Sequence, residues 1–226
     1  MKLSVVMPAY NEIATIDEII KRVKAVELEK ELIIVDDCST DGTREYLQKL
    51  RDPQIRVFFH DKNMGKGAAL RTGIQQASGD VVVIQDADLE YNPQEFHQLL
   101  APILDGRADV VYGTRFGGST NRVHLFWHYV ANRMLTLFSN MFTNLNLTDM
   151  EVCYKMFRAQ VIKNISLRSN RFGFEPEVTA KVARMDCRVY ETPVSYAGRD
   201  YSEGKKIGWK DAVKAIFAII YFRFFD

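Results

Sequence analysis

Short β-branched runs alternate with longer stretches of helical period through the first half of the chain. Ser4-Val5-Val6-Met7, Leu32-Ile33-Ile34-Val35 and Val81-Val82-Val83-Ile84 are nearly unbroken apolar runs of strand length. Runs of this kind read as strands buried on both faces, as in a parallel sheet. The pattern predicts strand 3–8, helix 13–27, strand 31–36, helix 42–51, strand 55–59, helix 66–77, strand 80–86, helix 93–104 and strand 109–114. Asp41-Gly42-Thr43 and Asn92-Pro93 are helix-start signals, and Ser78-Gly79-Asp80 turns the chain into the fourth strand. Such alternation predicts a doubly wound α/β sheet. After Gly118 it stops. Residues 122–144 read as a helix, 151–157 as a strand, 175–185 as a short helix and 187–194 as a strand; a loop rich in Gly, Arg and Lys, 197–208, precedes a terminal helix, 208–225. Without an internal repeat or low-complexity linker, residues 1–226 read as one domain, its halves meeting near residue 118.

Two later segments are unusually apolar. Val123, Phe126, Trp127, Val130, Met134, Leu137, Phe138 and Met141 form a stripe at helical spacing, and Ala212 to Phe225 is apolar almost all round, interrupted by Lys214 and Arg223. A helix of this kind is either buried or in contact with lipid. The first segment reads equally as a core helix, a dimer face or a membrane-surface helix; the terminal one reads as facing a membrane surface or a partner. No run of 18 uncharged apolar residues is present, so a spanning helix is not expected.

Composition narrows the class. The chain has 226 residues, 47% hydrophobic and 26% charged, enough for one sizeable core. A net charge of +1 carries no basic excess, so nucleic acid is not an expected partner. Cys38, Cys153 and Cys187 are far apart and odd in number, which points to neither a disulfide framework nor a zinc site and fits a reducing compartment. The N-terminus lacks a basic segment before an apolar stretch, so no signal peptide is expected, and the sequons at Asn146 and Asn164 read as chance matches.

The chemistry sits at strand ends. Asp86-Ala87-Asp88-Leu89 follows the fourth strand and places two carboxylates one residue apart where a buried strand opens into a loop. A hard cation such as Mg²⁺ or Mn²⁺ takes one or two carboxylates, keeps water and fills its remaining positions with substrate phosphate oxygens. Pro8-Ala9-Tyr10-Asn11-Glu12 and Asp36-Asp37-Cys38-Ser39-Thr40-Asp41 occupy two further strand ends. Ligands of open α/β sheets bind outside such ends. Gly65-Lys66-Gly67 opens a helix without completing a P-loop; a helix start with small residues favours anions, and Lys66 either approaches a diphosphate or its neighbouring carboxylates, or faces solvent. Arg115, after the fifth strand, has the planar fork that binds phosphate. Asp36 reads as a turn-orienting residue and Asp41 as a helix N-cap. His124 and His128 stand four apart with no Glu after the first, so a zinc motif is not expected.

Taken together, Pro8-Ala9-Tyr10-Asn11-Glu12, Val35-Asp36-Asp37-x-Ser39-x-Asp41-Gly42-Thr43, Asn63-x-Gly65-Lys66-Gly67-x-Ala69 and Asp86-Ala87-Asp88-Leu89 resemble the family 2 glycosyltransferases of GT-A fold. Gly113-Thr114-Arg115-Phe116 and the stretch from Leu147 to Lys206 are most similar to the polyprenyl-phosphate hexosyltransferases, the dolichol-phosphate mannose synthase branch. The Gln-x-x-Arg-Trp element of processive members is absent. The resemblance implies a Rossmann-like, mostly parallel sheet flanked by helices, with C-terminal amphipathic helices facing a membrane. It implies a nucleotide-sugar-binding half over 1–118 and an acceptor half over 119–226, with Mg²⁺ or Mn²⁺ as cofactor. It assigns donor binding to Pro8, Tyr10, Glu12, Val35, Asp37, Lys66, Asp86, Ala87 and Glu90. In that set Tyr10 stacks on the base, Glu12 accepts from a hydroxyl and Asp37 accepts the imide N–H of uracil or guanine.

By the same resemblance Asp88 is the first metal ligand, and Asp86 contacts the metal, its water or the ribose. Glu90 reaches the metal or acceptor side, or faces water. Arg115 and, on the mobile acceptor loop, Arg199 and Lys205 are the catalytic cations, with Tyr201 and Lys206 beside them. The acceptor phosphate is expected near His128, Asn132 and Arg133, where this chain departs from the Arg and Ser of the branch. The implied activity is inverting transfer of a hexose from a UDP-glucose or GDP-mannose type donor to undecaprenyl or dolichyl phosphate, at the cytoplasmic face of a membrane, with oligomers possible. The alternative acceptor is a hydroxyl of a soluble or cell-envelope glycan, which requires a base such as Glu175 or Asp149. A nucleotidyltransferase would carry a Gly-rich N-terminal loop in place of Pro8-Ala9-Tyr10-Asn11-Glu12, and a non-catalytic partner subunit has no need of both Asp86 and Asp88.

Overall fold

In the computed structural model, the strand runs that begin each βα unit become neighbours in one sheet. The structure describes residues 1–118, 122, 125–171, 173–198 and 209–226, with only the backbone of 209–211. Strands β1 (Leu3–Ala9), β2 (Lys30–Asp36), β3 (Ile55–Phe59), β4 (Val81–Ile84), β5 (Val110–Thr114), β6 (Lys155–Arg158) and β7 (Val189–Pro193) form a seven-stranded sheet in the order β3-β2-β1-β4-β6-β5-β7. All pairings are parallel except those of β6, which runs antiparallel between β4 and β5. A strand from the second half of the chain is thus inserted beside the strand that leads into Asp86 and Asp88. Val5, Val6, Ile33, Ile34, Val82 and Val83 are fully buried, which explains their unbroken apolar runs.

Helices α1 (Ile16–Lys24), α2 (Thr43–Lys49), α3 (Lys66–Gln76) and α4 (Phe96–Leu104) connect the first strands, and a short 3₁₀ turn at Pro93–Glu95 leads into α4. Helix α1 buries Ile16, Ile19, Ile20 and Val23, the i, i+3, i+4, i+7 face of an amphipathic helix. It starts three residues later than its pattern predicts, because the Glu12 carbonyl accepts from Thr15 and Ile16 in a preceding turn. In the second half lie α5 (Phe126–Thr143), α6 (Ala159–Lys163), α7 (Phe174–Val182) and α8 (Trp209–Phe224). The expected strand 151–157 begins four residues late, after a loop that carries Asp149 and Glu151, and α6 was not foreseen.

Helix α5 is inverted relative to an ordinary surface helix. Its buried residues are Thr136, Ser139 and Thr143, while Trp127, Met134, Leu137 and Met141 are 75%, 67%, 62% and 72% exposed. Of the readings left open for this stripe, a fully buried core helix is excluded: these four residues face out, while Phe138 is partly buried against the core. The inner side is polar because it is hydrogen-bonded to the 147–150 loop. Asn140 donates to the Leu147 carbonyl (2.8 Å) and accepts from its N–H (3.2 Å), and the Thr136 hydroxyl accepts from Met150 N–H (3.1 Å). Helix α8 buries Ala215, Ile219 and Phe222 against the protein and exposes Phe217, Tyr221 and Phe224. Among the described residues no helix is long and apolar enough to cross a membrane.

Candidate active site

Three βα loops meet at the carboxyl ends of β1, β2 and β4, and each holds one non-glycine residue in the left-handed region: Asn11 (φ 55°), Cys38 (φ 64°) and Leu89 (φ 62°). Left-handed backbone at a bulky residue such as Leu89 is uncommon, and such strain gathers at ligand sites. The first two loops are knitted together. Asn11 N–H donates to Ser39 Oγ (2.9 Å), Thr40 N–H to Asn11 Oδ1 (2.8 Å) and Glu12 N–H to Thr43 Oγ1 (3.0 Å). Asp41 accepts from Ile13 N–H and from both the N–H and hydroxyl of Thr43, so it caps α2 from the residue before the glycine at the cap position. Asp36 orients its turn as expected, accepting from Ser39 N–H and Arg44.

Asp37 is buried. Its Oδ1 accepts from His60 Nδ1 (2.7 Å) and Met64 N–H (2.8 Å), and its Oδ2 from Gly65 N–H (2.6 Å). A carboxylate has about four acceptor positions, so one remains on Oδ2 after these three bonds. Tyr10 is 38% exposed at the rim, and Glu12 accepts from the Thr15 hydroxyl (3.1 Å). Pro8 lies within β1 beside Val35. Val35 and Ala87 are buried, so their side chains support the loops from beneath.

The start of α3 differs from the expected anion cradle. The strap 167–171 lies over it: Ala68 N–H donates to the Asn170 carbonyl (3.1 Å), and Arg71 reaches the Leu167 carbonyl (3.3 Å) and Asn170 Oδ1 (2.8 Å). A Cβ at Gly65 or Gly67 would overlap the Asn170 or Ser169 carbonyl, so these glycines serve a close backbone approach. Glu177 holds the strap by accepting from Arg168 N–H (2.6 Å) and Ser169 N–H (2.7 Å), and it pairs with Lys181 (2.8 Å). It is a structural carboxylate. Lys66 turns away from any cradle and meets Asp86 Oδ2 (2.9 Å), Cys153 Sγ (3.0 Å) and Glu175 (3.4 Å).

Asp86 and Asp88 are both partly exposed at the mouth of β4, and Asp88 Oδ1 accepts from Glu90 N–H (3.2 Å). Among the described residues no group of three or more His, Cys, Asp or Glu side chains is placed to hold a metal ion by itself. Two hard oxygen donors at an open mouth fit an ion that completes its shell with water and phosphate. Glu90 accepts from the Tyr196 hydroxyl (2.9 Å), and its carbonyl accepts from Ala197 N–H (2.9 Å), so the chain passes the acidic loop just before residue 199. Arg199 and Lys205, with Tyr201 and Lys206, lie outside the described residues.

Arg115 is held by a partner that the sequence pattern did not reveal. Its Nε and Nη2 each lie 2.7 Å from Asp149, its backbone N–H donates to the same carboxylate (3.1 Å), and its guanidinium stacks 5.0 Å from the Tyr196 ring. Burial alone would raise the Asp149 pKa, but the Arg115 charge and hydrogen bonds hold it below the usual carboxylate value. Asp149 is thereby the counter-ion of Arg115. Asn132, on the inner face of α5, donates to Asp149 (3.2 Å), and Arg133 donates to the Thr148 carbonyl (3.1 Å). Glu151, also missed in the sequence, has a buried Oε1 that no described group bonds; burial and then the Glu175 charge push its pKa up to about 7.

Comparison with known proteins shows the family of the chain. The family model for glycosyl transferase family 2 matches residues 4–166. The chain belongs to glycosyl transferase family 2. This transferase is 29% identical over 223 residues to an undecaprenyl-phosphate mannosyltransferase of Micrococcus luteus, covering 92% of this chain and 88% of that one. It is 31% identical over 211 residues to an undecaprenyl-phosphate 4-deoxy-4-formamido-L-arabinose transferase of Proteus mirabilis, covering 90% of this chain and 62% of the relative's length. Glucosyl-3-phosphoglycerate synthase from Mycobacterium tuberculosis, solved with Mn²⁺, UDP and phosphoglyceric acid, shares the fold with a TM-score of 0.75 at 20% identity, over 100% of this chain and 79% of that one. The family 2 transferase thus has the mostly parallel, helix-flanked α/β sheet that its sequence predicts.

Proposed function

We propose that this family 2 transferase moves a hexose from a nucleoside-diphosphate sugar of the UDP-glucose or GDP-mannose type to a polyprenyl phosphate at the cytoplasmic face of a membrane. The observation that carries the reading is helix α5, which presents its apolar side outward while its inner residue Asn132 bonds the Asp149–Arg115 pair. One helix then joins a surface suited to a lipid tail with a cation suited to a phosphate. The relatives named above act, by name, on undecaprenyl phosphate, which agrees with this acceptor.

On the donor side, Tyr10 stacks on the base, the remaining acceptor position of Asp37 takes one base N–H, and Glu12 and Pro8 line the ribose. Asp88, with Asp86 beside it, would hold Mg²⁺ or Mn²⁺. When bound, the ion supplies neutralisation of the charge on the departing nucleoside diphosphate. Arg115 and the 199–206 cations bind and orient phosphate oxygens. A phosphomonoester has a second pKa of about 6 and is largely dianionic at neutral pH. Such an acceptor attacks C1 without surrendering a proton, so a single displacement inverts the anomeric carbon. The chain's task is to align two phosphates and exclude water.

A second reading, transfer to a glycan hydroxyl, needs a base. On this reading Asp149 and Glu175 are each paired with a cation, and Glu151, whose pKa is pushed up to about 7, is the base. The deciding experiment assays UDP-glucose, GDP-mannose and related donors against undecaprenyl and dolichyl phosphate with Mg²⁺ or Mn²⁺. Turnover with one such pair that survives Glu151→Gln supports the lipid-phosphate acceptor. No turnover with any pair removes it.

A further inference from the structure

A chain of ring contacts leads from the core to Arg115. Phe96 of α4 and Tyr154, just ahead of β6, have ring centroids 5.8 Å apart; Tyr154 stacks on Tyr91 of the acidic loop at 4.6 Å, and Tyr91 meets Tyr196, after β7, at 5.1 Å. The Tyr196 ring in turn lies 5.0 Å from the Arg115 guanidinium. All of these rings are buried, and each hydroxyl is bonded: Tyr154 donates to Gln85 Oε1 (2.5 Å), Tyr91 accepts from Cys153 N–H (3.3 Å) and Tyr196 donates to Glu90 Oε2 (2.9 Å). The backbone around Tyr196 is pinned on both sides. Val194 N–H donates to the Thr114 carbonyl (3.0 Å), Ser195 N–H to Glu95 (2.8 Å) and Ala197 N–H to the Glu90 carbonyl (2.9 Å), while the Tyr196 carbonyl accepts from Arg122 N–H (3.0 Å). Tyr196 is therefore a fixed post that touches the acidic loop on one side and the buried arginine on the other.

We propose that Tyr196 is a positioning residue for the acceptor: its ring sets the plane of the Arg115 guanidinium, and with it the place of the acceptor phosphate relative to the loop that carries Asp86 and Asp88. The inference rests on the lipid-phosphate reading above. Asp149 fixes the edge of the guanidinium that holds Nε and Nη2, which leaves rotation about that edge. A cation within about 6 Å of a ring centroid is attracted to the ring face, so Tyr196 removes that freedom. Phe116, at 5.8 Å, is the more distant ring. The plane matters because an arginine meets two phosphate oxygens at once through a flat fork. The ring and the hydroxyl divide the work. The ring orients Arg115, and the hydroxyl ties the same side chain to Glu90. One residue thus gauges the separation between the acceptor's cation and the loop beside the donor, and an in-line displacement needs its reacting atoms about 3–3.5 Å apart.

The test is titration calorimetry of the full chain with farnesyl phosphate, a phosphomonoester on a short isoprenoid chain, and separately with UDP and GDP in the presence of Mg²⁺. Tyr196→Leu is expected to bind farnesyl phosphate roughly tenfold more weakly than wild type, as the guanidinium loses its platform. Its affinity for the nucleotide that wild type binds is expected to stay within about twofold, because the ring touches neither the base nor the ribose side of the site. Tyr196→Phe keeps the ring and is expected to hold farnesyl phosphate within about twofold of wild type. If Tyr196→Leu does not fold, Tyr196→Met fills most of the same volume without an aromatic face and asks the same question. A general loosening of the fold would weaken lipid phosphate and nucleotide together, so an equal loss of both overturns the proposal. So does a Tyr196→Leu protein that binds farnesyl phosphate like wild type, or a Tyr196→Phe protein that loses as much as Tyr196→Leu. A wild type that binds nucleotide but no farnesyl phosphate would instead remove the lipid-phosphate acceptor and this proposal with it.

Discussion

Replacing Asp149 tests whether Arg115 is anchored as the structure implies. Asp149 is fully buried and accepts from Arg115 Nε and Nη2 at 2.7 Å, from Arg115 N–H at 3.1 Å and from Asn132 at 3.2 Å. The Arg115 side chain is only 13% exposed, so Asp149→Ala removes the counter-ion from a guanidinium with little access to water. Breaking a buried ion pair in this way costs about 3–5 kcal/mol. In a chain of this size, 1 kcal/mol lowers the melting temperature by about 2–4 °C, so the variant should melt roughly 6–20 °C below wild type. The assay is thermal and urea denaturation followed by circular dichroism, with Asp149→Leu and Arg115→Met alone and combined. The double variant should recover much of the loss, because neither charge is then stranded, while turnover stays absent. An Asp149→Ala protein that melts within about 2 °C of wild type and has lost only activity would refute the reasoning. It would also return Asp149 to the role of a base.

Three further outcomes follow from named contacts. Asp88→Asn should lower turnover by roughly 10³-fold or more, the consequence of losing several kcal/mol of charge stabilisation, with the melting temperature unchanged; a fully active variant places the ion elsewhere. Leu137→Glu combined with Met141→Glu on the outer face of α5 should shift stability by no more than about 0.5 kcal/mol per site. It should also lower co-sedimentation with anionic vesicles about tenfold, as buried apolar area is lost from the interface; unchanged sedimentation assigns that face to a partner protein. Glu31 is buried, which by itself would raise its pKa, but bonds from Ser4 and Ser78 and the charge of Lys2 hold it down to about 2. A depressed folded-state pKa stabilises fully above the unfolded value of 4.5 and loses that contribution as pH falls toward 2. The urea midpoint of wild type should therefore fall through that window more steeply than that of Glu31→Gln.

How far the sequence reveals such a site depends on whether a feature is local. The parallel strands were legible because burial on both faces leaves an unbroken apolar run, as in Val81–Ile84. The acidic loop after β4 was legible because its two carboxylates are neighbours in the chain. The Arg115–Asp149 pair was not, because its members are 34 residues apart and meet only when β6 enters antiparallel beside β5. Nothing in Lys155-Met156-Phe157-Arg158 announces that insertion: Lys155 is fully buried in the sheet, bonded to the Met150 and Val152 carbonyls. Helix α6, five residues long, is too short to show a period.

Helix α5 is the instructive case. Its apolar stripe was visible, but periodicity does not say which side faces the protein. The signal that decides it is the second stripe, Asn132, Thr136, Ser139, Asn140 and Thr143, which also recurs at helical spacing. Four of these five side chains bond within the helix or to the 147–150 loop, and Asn132 also bonds Asp149. A side chain that orients the counter-ion of a buried arginine must lie on the inner face. Once Asn132 is inside, Trp127, Met134, Leu137 and Met141 have nowhere to go but outward. The polar demand of the site thus dictates the apolar exterior, so a variant that moved this stripe inward would have to dismantle the anchoring of Arg115 to do so.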